Sequence, residues 1–154
     1  GWKMINAGKP GSTYITYQAV AEEIIQGCCD IADEVGNTKI GKPHSAATDE
    51  DRNYIESPYS LNSVEDFQDN IRSIRNAYCG SLTGDASISD YIRTVNPALD
   101  AQIRSDIADA IAAIGRIPEP FARNARGNEA ATAIEACEKL NASLFKVMAE
   151  LNKQ

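Results

Sequence analysis

The chain has 154 residues, 43% hydrophobic and 24% charged, which is globular composition and excludes a disordered or low-complexity chain. A formal net charge of −7 repels phosphate backbones, and no Lys/Arg cluster stands against it, so nucleic acid is excluded as a partner. No apolar run reaches the roughly 18–20 residues of a membrane span, and one domain of 1–154 is expected.

No secretory signal is visible. Gly1 reads as a remnant of preparation, and a chain opening at Trp2 is expected to have lost its natural start. The first helix is predicted from about residue 13. Val20, Ile24, Cys28, Ile31 and Val35 step by 4, 4, 3 and 4, one apolar stripe, and Gly36 suits the residue after a helix end. Residues 37–62 then form a long connection with Gly41, Pro43 and Pro58 and little periodicity. Connections of that length in a compact domain are usually functional or disordered.

The second helix opens at Asn62 or Ser63, with Glu65 or Asp66 near the third position as in a capping box. Its stripe is Val64, Phe67, Ile71, Ile74 and Tyr78, and Gly80 ends it. A polar connection follows, with one short helical piece over 89–95. Asn96-Pro97 is a start signal, a capping amide followed by a proline whose missing N–H costs nothing at that position. Leu99, Ile103, Ile107, Ala110 or Ile111, and Ile114 make the third stripe, closed by Gly115, and Pro118 and Pro120 forbid continuation. Asn128 is the expected cap of the last helix, which carries Ala133 or Ile134, Cys137, Leu140, Leu144, Val147 or Met148, and Leu151.

Each helix has one apolar face and a charged back, so none is stable alone. Four such faces close into an all-α, up-down four-helix bundle with one long loop between its first and second helices. No strand pattern of useful length competes, and no fixed-period repeat indicates a solenoid. If the first and last helices are antiparallel neighbours, Cys28 and Cys137 are expected at a similar level.

The four cysteines, at 28, 29, 79 and 137, contain no C-x-x-C pair and read as small buried hydrophobes. A disulfide stays open if the protein is secreted. His44 is the sole imidazole, and Ala47 stands three residues on where a glutamate would be needed; it reads as an exposed loop histidine. Zinc hydrolysis needs about three protein ligands and an open position. A di-iron bundle site needs inward Glu-x-x-His motifs, and none exists. Glu22 and Glu23, Asp106 and Asp109, and Glu135 and Glu138 are expected on or beside solvated helix backs. No catalytic residue, metal or cofactor is therefore expected.

One stretch combines hydroxyls, an aromatic and a carboxylate at the entry to a strongly patterned helix: Glu56-Ser57-Pro58-Tyr59-Ser60. Turn and cap chemistry accounts for each of these residues as well as a binding role does. With Asn62-Ser63, Asp66-Phe67, Asn70-Ile71, Asn76-Ala77-Tyr78 and Gly80, it resembles the second half of the imelysin-like (M75 peptidase-like) family, which includes proteins of the iron-regulated protein A kind. The resemblance spans roughly 18–151. It implies two helical bundles packed together with a pocket between them, to which Glu56, Ser57, Tyr59 and Ser60 would be this chain's contribution. It also implies a bacterial envelope protein, periplasmic or a surface lipoprotein, linked to iron or haem acquisition. The implied partner is a second helical bundle, the N-terminal half that this chain lacks, or an envelope iron-uptake protein. The family's Gly-x-His-x-x-Glu motif does not occur here, so the resemblance implies a binding domain without enzymatic activity. The alternative is an incomplete metallopeptidase that needs the bundle bearing that motif.

Overall fold

The computed structural model describes residues 4–6, 14–45, 63–80 and 86–153. Two three-residue strands, β1 (Met4–Asn6) and β2 (Tyr14–Thr16), pair antiparallel with Ile5 opposite Ile15. They are too short for an alternating pattern to reveal them in the sequence. The other elements of the described chain are helices: α1 (Tyr17–Asp33), a π-helix (Glu34–Ile40), α2 (Gly41–His44), α3 (Val64–Cys79), α4 (Ile88–Val95), α5 (Pro97–Gly115), α6 (Phe121–Asn124) and α7 (Asn128–Asn152).

The starts are set by local chemistry. Ser63 Oγ accepts from the Asp66 N–H at 3.1 Å while the Asp66 carboxylate accepts from the Ser63 N–H at 3.2 Å, a reciprocal box that satisfies two orphan donors. Ser87 and Asp90 repeat it at the start of α4, at 3.0 Å each way. Asn96 Oδ1 accepts from the Leu99 N–H at 3.2 Å ahead of Pro97. At α7 the cap residue is Gly127, not Asn128, which is already helical.

The four long helices surround one core, α1 and α5 each touching both α3 and α7. Hydrogen bonds give their directions. Gln18 Nε2 donates to the Leu151 carbonyl at 2.7 Å, so the start of α1 meets the end of α7. Gln68 donates to the Ile111 carbonyl at 3.0 Å, and Tyr78 to Asp100 at 2.7 Å, so α3 and α5 run antiparallel. Asn96 reaches Glu150 at 3.1 Å, and Ser143 donates to Asp106, so α5 and α7 do too. The stripe of α3 is buried in full, from Val64 to Tyr78. On α5 and α7 the small alternatives Ala110 and Ala133 take the core positions, and Ile111 and Ile134 lie at its edge.

The sequence-based expectation for α1 needs correction in three respects. Its core face is Tyr17, Ala21, Ile25, Cys28, Cys29 and Ala32, continued by Val35 in the π-helix, with Ile24 and Ile31 only partly buried. Apolar residues occupy two adjacent stripes of this helix, and packing selects the one rich in small side chains. The helix also does not stop at Gly36. It continues through the π-helix and α2 to His44, so residues 37–44 are not a loop. Gly36 is buried because α7 passes against it: a Cβ there would lie 2.8 Å from Cys137 Cβ. Close approach, not a left-handed turn, explains this glycine. Finally, Cys137 is level with Gly36 and therefore about two helical turns from Cys28. Reading Gly36 as the helix end displaced that register. All four cysteines are free, and burial pushes the Cys28 and Cys137 thiols up to about 12.

Candidate functional site

Glu56, Ser57, Tyr59 and Ser60 lie outside the described residues. Ser63 stands at the end of the bundle where α3 begins. There the Glu119 carboxylate spans two segments: Oε1 accepts from the Val64 N–H at 3.0 Å and Oε2 from the Phe121 N–H at 3.2 Å. Beneath it Phe67 and Phe121 meet edge to face, centroids 4.9 Å apart. With the Ser63–Asp66 box, these bonds occupy N–H groups that a helix start otherwise leaves open.

The π-helix flanks the same end. Such segments are rare and recur at functional sites. A shallow groove of about 320 Å³ lies against it, lined by Asp30, Ile31, Glu34, Val35, Lys39 and Asn70. Gly41 follows, and a Cβ there would stand 2.7 Å from the Gly36 carbonyl oxygen, so only glycine allows this tight stacking.

His44 closes α2. It is half-buried, not an exposed loop residue, because its Nδ1 sits 3.0 Å from the Ala125 carbonyl oxygen. A carbonyl only accepts, so Nδ1 carries the proton and Nε2 is left with the lone pair in the neutral ring. Among the described residues no group of three His, Cys, Asp or Glu could hold a metal ion.

The opposite end is tied by a buried polar network that the sequence reading missed. Asp100 is 4% exposed. Its Oδ1 accepts from Tyr78 at 2.7 Å and Ser89 at 2.6 Å, and its Oδ2 faces Arg104 Nε at 3.2 Å and Arg93 Nε at 3.4 Å. Burial opposes its ionisation, but the Ser89 and Tyr78 hydroxyls and the two guanidiniums outweigh that and hold the carboxyl below the usual range. Burial, and then the neighbouring Asp100 carboxylate, raise the Tyr78 phenol. Asp106, expected on a solvated back, is 1% exposed. It accepts from Ser143 and from Gln102 at 2.8 Å, with Lys139 Nζ 3.6 Å away. A signal existed: Asp100 and Asp106 each stand beside a stripe residue, Leu99 and Ile107, and Ser143 lies between Leu140 and Leu144. These networks lock helices together and leave no reactive group free.

The model of the imelysin family (peptidase M75) matches residues 3–147. The chain belongs to the imelysin family. An imelysin peptidase from Bacteroides ovatus superimposes with a TM-score of 0.78 at 38% identity, over 94% of this chain and 42% of that one. A Parabacteroides distasonis protein described as an iron-regulated protein A precursor gives 0.74 at 29%, over 88% of this chain and 42% of that one. The imelysin chain in hand thus spans less than half the length of both solved relatives. Among curated proteins there is no match. Within the described residues no helix is long and apolar enough to cross a membrane.

Proposed function

We propose that this imelysin-family chain is a binding domain without enzymatic activity of its own, working in iron or haem acquisition at the bacterial cell envelope. The observation that carries the reading is the likeness to the iron-regulated protein A precursor across 88% of this chain. The construction of the Ser63 end agrees with it. A segment joined to a helix start whose N–H groups are already bound has a fixed point of exit, which suits residues that present a surface to a partner. Glu56, Ser57, Tyr59 and Ser60 are the residues assigned to that surface. The partner is a second helical bundle or an envelope iron-uptake protein, and the site of action is the periplasm or the outer surface.

The direct test mixes this chain with the part of the Bacteroides ovatus relative outside the matched region and measures association, with and without haemin or ferric citrate. Association that Glu56→Gln or Tyr59→Phe weakens supports the reading. Its absence under all of these conditions overturns it.

A second reading, an incomplete metallopeptidase, draws on two observations. The Bacteroides ovatus relative is described as a peptidase. His44 donates from Nδ1 to a carbonyl, the orientation that second-sphere contacts give to metal-binding imidazoles. One imidazole does not make up the three protein ligands of a hydrolytic zinc site, so no catalytic step through a metal follows from the described residues. Peptidase activity in the reconstituted mixture, abolished by His44→Ala, would favour this reading over the first.

A further inference from the structure

We draw no further inference here: the strongest candidate, the shallow groove between α1 and α3 where Ile31 and Val35 meet Asn70 beside the π-helix, is an unpartnered face, and nothing in the structure shows what covers it.

Discussion

Glu119 accepts a hydrogen bond from the backbone of Val64, 55 residues away, and thereby joins the start of α3 to the turn that begins α6. Its other oxygen takes the Phe121 N–H, so one carboxylate serves two backbone donors. Replacing it with alanine leaves both without that acceptor. Glu119→Ala is expected to lower stability by about 1 kcal/mol, the usual loss for a helix cap. Glu119→Gln keeps one acceptor oxygen and should lose less. Urea unfolding of the two variants checks the order.

Ser63, and Glu56 and Tyr59 earlier in the sequence, offer a test that separates structural from binding roles. Ser63→Ala removes an observed cap and should cost about 0.5–2 kcal/mol. Glu56→Gln and Tyr59→Phe are expected to leave melting unchanged or raise it while weakening the interaction with a partner, because functional groups are often held at a cost in stability. Thermal unfolding beside the association assay decides. Uniform destabilisation with binding intact would remove the functional reading of these residues.

Asp100 makes stability acid-sensitive. Its folded-state carboxyl titrates below the unfolded value, so the unfolded chain binds protons more readily at low pH. The contribution is present above the unfolded pKa, about 3.9, and is lost as pH falls through the lower folded value. Urea midpoints measured from pH 7 down to pH 2 should fall steeply at the acid end. Asp100→Asn should flatten that limb and reduce stability at neutral pH, since two guanidiniums and two hydroxyls lose a charged acceptor. An unchanged acid limb would assign the effect elsewhere.

Two glycines of the first helical run should respond with opposite signs. Gly36 has Cys137 Cβ 2.8 Å from the position of a new methyl, so Gly36→Ala is expected to force the π-helix and α7 apart and cost about 1–3 kcal/mol. Gly27 has nothing within 4 Å of that position and lies inside an α-helix. Gly27→Ala should stabilise by roughly 0.5–1 kcal/mol. Equal effects from both would contradict the close approach at Gly36.

Thiol labelling at neutral pH offers an independent check of burial. Cys28 and Cys137, raised to about 12, and Cys29, raised to about 11, are held protonated by burial above all, and the thiolate is the reacting form. Cys79, which is only half-buried, should label first in the folded protein. The other three should label at the rate of unfolding.

The legible parts of this fold were those where one helical turn decides the outcome. Val64, Phe67, Ile71, Ile74 and Tyr78 announce a buried face by spacing alone, and Asn96-Pro97 announces a start by its chemistry. The π-helix was not legible, because Gly36 in sequence looks the same whether it ends a helix or lets another pass close by. Glu119 was hidden for a different reason: its partners are a backbone 55 residues distant and a turn two residues ahead, and only tertiary approach brings them together. The residues at 56–60 were singled out through resemblance to the imelysin family alone; they lie outside the described residues, and their role in a site is a proposal.

The π-helix also sets a rotational phase. In an α-helix each residue turns the chain by about 100°, so the facing of any side chain can be counted forward from the one before it. Glu34–Ile40 breaks that count, and the direction of His44 cannot be obtained from the face of Ile25. Deleting a single residue from 34–40 would let the run relax toward α geometry and turn α2 about its axis. His44 would then swing away from the Ala125 carbonyl while the core contacts of α1 stayed where they are. The wide turn thus works as a phase adjuster, letting one continuous helical run serve the core along α1 and the His44 contact at its tip.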